Sequence, residues 1–344
     1  MSEAIPVAVI GTGHMGRHHV RIYHELPDCD LVGIVDANLE RAADMASKYN
    51  TKAYPSIEPL LDRVRAVSIA VPTTAHVEVA RPFLENRVAV LIEKPIAPDA
   101  ASARALQQVA RGHNTLLSVG HTERFNPVVR ALGRMQVRPR FIETHRISPF
   151  TFRSADISVV MDMMIHDIDI VLHLVKARPA RVDAVGVRVL SEYEDIANAR
   201  LTFEDGCVAN MTASRLALKT ERKIRVFADE AYLSLDYQKK TGIAIKKDAN
   251  LDLLKMAREH GAEELSQLVG RDFGSMVKVE PLEIDDLEPL RVELQSFLNS
   301  VRSGGPPAVS AEDGVAAVEL AEQIIAAARS HRWEGVDAAF AGGA

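Results

Sequence analysis

Ile5-Pro6-Val7-Ala8-Val9-Ile10-Gly11-Thr12-Gly13-His14-Met15-Gly16 decides the fold of this chain. The residues ahead of the first glycine are apolar with little alternation, as expected of a parallel strand buried on both faces. They run directly into Gly-x-Gly-x-x-Gly. A helix is predicted after it through about Leu26, and Asp36 stands twenty residues beyond Gly16 at the end of the next apolar run. In that setting Gly11 allows a tight turn, Gly13 lets the backbone approach a pyrophosphate and Gly16 permits close helix packing. The helix start offers unpaired N–H groups to the anion, and Thr12, His14 and Met15 complete the loop. Asp36 would accept hydrogen bonds from the adenosine ribose. Its charge repels a 2′-phosphate and the following Ala37-Asn38 supplies no arginine, so NAD is expected in preference to NADP.

Working outward, strands are predicted at Leu31 to Asp36, Ala66 to Val71, Val88 to Glu93 and Leu116 to Val119. Helices at Leu39 to Tyr49, Ile57 to Arg63, Ala75 to Asn86 and Ala100 to Gly112 alternate with them. Such alternation with short connections predicts a Rossmann-type, doubly wound parallel sheet over residues 1–121. From 122 to 344 the order changes. A helix to about Met135, a strand at Arg140 to Ser148 and a long helical segment at Asp156 to Lys176 lead into consecutive strand candidates from Arg181 to Ile284. Helices at Leu287 to Ser303 and Ala311 to Arg329 close the chain. Strands in series predict an open, mostly antiparallel sheet with helices on one face, an α+β domain for substrate and assembly. The face left uncovered predicts a homodimer or homotetramer. Asp248 to Asp272, charged and weakly amphipathic, is expected to form an excursion or contact arm.

Composition narrows the function. With 344 residues, 47% of them hydrophobic and 26% charged, the chain reads as a soluble protein of two domains. A net charge of −6 without any run of Lys or Arg argues against nucleic acid as a partner. No apolar stretch reaches membrane-spanning length and no basic leader precedes the first strand, so a cytoplasmic protein is expected. Cys29 and Cys207, far apart, form neither a disulfide framework nor a zinc pattern.

Two further motifs bear chemistry. Glu93-Lys94-Pro95 ends the apolar run Val88 to Ile92; Pro95 biases Lys94 away from helical backbone, which suits aiming an ammonium at a substrate hydroxyl from the sheet edge. Pro72, Thr73 and His76 follow another strand at that edge and could line the dinucleotide, although Thr73 or Thr74 could equally cap a helix. In the long helical segment Asp162 and His166 are four residues apart and share a face, with Asp169 and His173 continuing the stripe among apolar neighbours. His166 suits acid–base work near neutral pH. No third and fourth ligand at a recognisable spacing accompanies it, so no metal is expected.

Together the glycine fingerprint, Glu93-Lys94-Pro95 and Asp162-x-x-x-His166 in a second α+β domain resemble the Gfo/Idh/MocA oxidoreductases, over essentially the whole chain. The resemblance implies that Lys94, Asp162 and His166 form the catalytic group, with Glu93 and Lys94 also bordering the cofactor. The reaction implied is reversible hydride transfer between nicotinamide and a ring hydroxyl carbon of a sugar or cyclitol. Which of Lys94 and His166 takes the proton stays open. Within the family, the stretches 120–127 and 163–169 look most like the branch that includes UDP-N-acetylglucosamine 3-dehydrogenases, which supply a 3-keto nucleotide sugar for the diamino sugar of lipid A. Arg124, Asn126, His145, Arg146 and Arg153 would then contact sugar and diphosphate, or serve as ion pairs. The alternatives are a dehydrogenase of inositol or a free sugar, an NAD-dependent glycosidase, and a non-catalytic NAD sensor.

Overall fold

The first half of the chain folds as the alternation predicts. Strands β1 (Ile5–Ile10), β2 (Cys29–Val35), β3 (Lys52–Tyr54), β4 (Ala66–Ile69), β5 (Ala89–Glu93) and β6 (Leu117–Gly120) form a parallel six-stranded sheet in the order β3-β2-β1-β4-β5-β6. Helices α1 (Gly16–Glu25), α2 (Leu39–Lys48), α3 (His76–Glu85) and α4 (Ala100–Gly112) are its crossovers. The order reverses between β1 and β4, and the crevice beyond the carboxyl ends of those strands is where such sheets take ligands. Two local differences from the sequence reading stand out. The helix expected at Ile57 to Arg63 is one 3₁₀ turn, Glu58–Leu60, and the three-residue strand β3, too short to show a period, was not anticipated. The structure, a computed structural model, describes residues 3–151, 157–247 and 277–333. The stretch Asp248 to Asp272 and Arg153 lie outside the described residues.

The second sheet has eight strands: β7 (Pro139–Ile147), β8 (Pro179–Val187), β9 (Ile196–Phe203), β10 (Val208–Ser214), β11 (Glu221–Ala228), β12 (Ala231–Asp236), β13 (Thr241–Lys247) and β14 (Val277–Pro281). Their order is β14-β13-β12-β11-β7-β10-β9-β8, and only the β7/β10 pair is parallel. Strict alternation along β9 and β10 turns Ala197, Ala199, Leu201, Ala209, Met211 and Ala213 inward. The small side chains let a helical layer approach: α5 (Pro127–Arg134), a π-helical turn at Val160–Met164 and α6 (Ile165–Val175). The opposite face carries cross-strand polar pairs such as Arg225–Glu143 at 2.9 Å, and a row of rings, Phe141, Phe227 and Tyr232, spaced 5.5 and 4.8 Å apart.

The chain then returns to where it began. Helix α7 (Pro289–Ser303) buries Leu290, Leu294, Phe297 and Leu298 in one core with Ile5, Val7, Val20 and Ile22 of the first unit. Helix α8 (Ala311–Ser330), opened by a Ser310/Asp313 capping box, packs between α4 and the second sheet. Arg111–Glu312 and Arg104–Glu319 pair across the α4/α8 contact. Residue 121 lies between the last strand of the first sheet and the first of the second, and α7, far along the chain, packs into the core of the first sheet. An amphipathic pattern shows that a helix has a buried face without showing which sheet covers it.

Candidate active site

The glycine loop has the geometry its sequence requires. Gly11 adopts φ +90°, and a Cβ there would lie 2.6 Å from the Ala70 carbonyl oxygen; one on Gly16 would lie 1.8 Å from that of Gly11. A Cβ on Gly13 would meet nothing within 4 Å, so this residue faces open space at the start of α1, where a pyrophosphate needs close backbone approach. Thr12 donates to Asp36 Oδ2 through both its N–H and Oγ1 at 2.7 Å. His14 is exposed, and Met15 is partly buried against the core of the first sheet. Asp36 does not stand alone, contrary to the expectation of no nearby arginine. Arg41 in the first turn of α2 reaches back to it, with Nη2 at 2.7 Å from Oδ1 and Nε at 3.2 Å from Oδ2. Burial works to raise the Asp36 carboxyl, but hydrogen bonds from Arg41, Thr12 and Asn38 outweigh it and hold it at about 2. These residues fit a dinucleotide with free ribose hydroxyls.

At the far end of the crevice β5 delivers Glu93 and Lys94, joined to Pro95 by a cis peptide bond. Lys94 Nζ donates to the Asp162 carbonyl oxygen at 2.8 Å and stands 3.9 Å from Asp162 Oδ1. Here the sequence reading needs correction: Asp162 does not lie on the same α-helix as His166. It sits in the π-helical turn, where Ile165 N–H reaches back five residues to Val160 O, and His166 lies in the first turn of α6. His166 is partly exposed, with Nδ1 buried and unpartnered. Burial first, then the positive charges of Lys94 and Arg146, push its imidazole well below the ordinary value. It is a neutral base at pH 7. Asp169 and His173, expected to extend the stripe, diverge: Asp169 is buried and paired, while His173 is exposed.

Several predicted contacts turn out to be internal supports. His76 is buried, with Nδ1 2.9 Å from Pro95 O and Nε2 3.1 Å from Val71 O, so it ties the Lys94 turn to the segment after β4. Neither Thr73 nor Thr74 caps α3; Pro72 and Thr73 stay at the open sheet edge. The Glu93 carboxylate turns inward to His19 Nε2 at 3.0 Å, packed where Gly120 leaves room for it. Arg124 is clamped to Asp169 by two hydrogen bonds of 2.8 and 2.7 Å and to Asp313 at 3.2 Å, joining the turn after β6 to α6 and α8. Arg146 forks onto Asp167 at 3.0 and 2.9 Å and donates to Glu123 at 3.1 Å; burial would lower it, but those carboxylates keep it charged. Asn126 caps α5 through Val128 N–H at 3.0 Å. His145 points to the other face of the sheet, between Glu143 and Glu221. Arg124, Arg146 and Asn126 thus make hydrogen bonds inside the protein that support the site.

Residues not singled out from sequence complete the surroundings. His121, after β6, is buried with both ring nitrogens unpartnered, and burial keeps it neutral. Glu293 of α7 accepts from Thr122 Oγ1 at 2.7 Å. Burial, then the charge of Glu93, raises its carboxyl well above the usual range. Arg222 at the start of β11 approaches Glu123 at 3.6 Å. The alternation Arg222, Ile224, Val226 could have placed the last of these on the inner face; nothing local marks the other two.

Residues 5–121 match the profile of the oxidoreductase family with an NAD-binding Rossmann fold, and 135–234 match the Gfo/Idh/MocA C-terminal domain. UDP-N-acetylglucosamine 3-dehydrogenase of Acidithiobacillus ferrooxidans is 36% identical over 299 residues, 87% of this chain and 89% of that protein. A solved structure of that enzyme superposes with a TM-score of 0.84 at 33% identity, covering 95% of this chain and 98% of the other. Myo-inositol 2-dehydrogenase of Thermotoga maritima is 24% identical over 91% of this chain and 93% of its own.

Proposed function

The chain belongs to the Gfo/Idh/MocA family of NAD-dependent oxidoreductases acting on CH–OH groups, and from that premise we propose that it oxidises UDP-N-acetylglucosamine at C3 to the 3-keto sugar. The place of this step is the supply of a diamino sugar for lipid A. Support for the substrate is the 36% identity to an enzyme of that name along 87% of the chain. The observation that carries the chemistry is the contact of Lys94 with Asp162 across the crevice, 2.8 Å from Nζ to the carbonyl oxygen, beside His166 held neutral.

NAD, when bound, supplies the nicotinamide carbon that accepts the hydride. The protein's share is the proton and the charge. His166, deprotonated at pH 7, takes the hydroxyl proton as the C–H bond breaks. Lys94 opposes the negative charge growing on the same oxygen, and the Asp162 carbonyl and carboxylate keep its ammonium aimed at that point. Because Lys94 acts in the transition state, Lys94→Ala should lose about 10²- to 10⁴-fold in kcat with little change in NAD affinity. Following NADH absorbance with a panel of nucleotide sugars, free sugars and inositols tests both halves. Near-normal turnover by folded Lys94→Ala removes the lysine from the mechanism, and activity on inositol alone replaces the substrate. The proposal includes pairing of copies across the open face of the second sheet, which a monomer by light scattering would exclude.

A further inference from the structure

A nucleotide-sugar substrate brings two phosphates into this crevice, and two of the arginines expected to meet them, Arg124 and Arg146, already hold carboxylates inside the protein. Arg124 is clamped to Asp169 and Asp313, and Arg146 to Asp167 and Glu123. Arg222 differs from both. It pairs in register with Arg146 across β11 and β7, and alternation with the buried Ile224 and Val226 places it on the helix-covered face of the sheet. Yet its side chain is 46% exposed, and its nearest carboxylate oxygen, Glu123 Oε1, is 3.6 Å away, beyond hydrogen-bonding distance. Among the described residues none accepts a hydrogen bond from its guanidinium. Glu123 accepts its hydrogen bond from Arg146 at 3.1 Å, so it leaves the N–H donors of the Arg222 fork unused. Its register partner Arg146 holds Asp167, the residue after His166 on α6, which places the guanidinium in the surroundings of the reacting centre.

We propose that Arg222 is the substrate's diphosphate anchor, donating from its planar fork to the phosphate oxygens while the sugar ring reaches Lys94 and His166. This rests on the nucleotide-sugar reading given above. A guanidinium suits the task because two parallel N–H donors match a phosphate edge, and a half-exposed one gives up less hydration than a buried one would. Anchoring remote from the reacting carbon contributes to ground state and transition state alike, so its loss falls in KM.

The experiment compares wild type, Arg222→Gln and Arg222→Lys by calorimetric titration with UDP, and by initial rates with UDP-N-acetylglucosamine. The expected result is UDP affinity weakened about 10- to 100-fold in Arg222→Gln, a parallel rise in KM, and partial recovery in Arg222→Lys, which keeps the charge but not the fork. NAD affinity, set by the glycine loop and Asp36, reports that each variant is folded. Equal UDP affinity in wild type and Arg222→Gln overturns the anchor while leaving the substrate standing. A wild type that binds no UDP and leaves UDP-N-acetylglucosamine unoxidised overturns the substrate reading, and the anchor with it.

Discussion

Asp36 accepts from Thr12, Asn38 and Arg41 at once, so the carboxylate that would meet a ribose is also the counter-ion of an arginine. This arrangement makes cofactor choice a matter of one residue. With Asp36 in place Arg41 is neutralised and a 2′-phosphate meets a carboxylate, so NAD(H) binds better than NADP(H). Asp36→Ala should free Arg41 at the same edge and shift the NADP/NAD affinity ratio toward NADP by on the order of 10- to 100-fold. Fluorescence titration of both reduced cofactors against both proteins measures it, and an unchanged ratio would remove Arg41 from the account. The fingerprint and Asp36 were legible in the sequence because a phosphate turn imposes local backbone demands. Arg41 was not, because it lies five positions on and returns to Asp36 only through the geometry of the first turn of α2.

At the scale of elements, a π-helical turn and a late helix shape the site. The spacing of Asp162 and His166 predicts one regular helix, whereas a π turn carries the first and α6 the second. A π turn adds one residue over a few positions, too few to disturb the apolar pattern from which a helix is read. Helix α7 brings Glu293 to Thr122, beside Glu93 at the root of the Lys94 turn. Its ordinary value is 4.5, and burial raises it well above that in the folded protein. The folded state thus binds the proton more tightly. The stabilisation this brings is complete below about 4.5 and is lost as pH rises toward the folded value. Glu293→Gln, which mimics the protonated acid, should melt higher than wild type at pH 8, with the gap closing near pH 4.5. Thermal unfolding across that range measures the gap, and a gap independent of pH would mean that Glu293 is not held protonated.

On the scale of the whole molecule, the proposed reaction draws on both halves of the chain. The first carries the glycine loop, Asp36 and Lys94, the second carries Asp162 and His166, and α7 and α8 bind the halves together. Sheet classes and their order along the chain were readable because alternation of strand and helix differs from strands in series. The pairings Arg124–Asp169 and Arg146–Asp167 join residues 45 and 21 positions apart, and a single sequence offers no local sign of such distant partners. Among the described residues no helix is long and apolar enough to cross a membrane. In the proposed reaction this assembly removes hydride from C3 of a nucleotide sugar. UDP-N-acetylglucosamine carrying deuterium at C3, incubated with the protein and NAD, tests it directly. The deuterium is expected on the nicotinamide ring of the reduced cofactor, as read by mass spectrometry and NMR. Reduced cofactor free of deuterium, or deuterium still at C3 in a turned-over sugar, would contradict it.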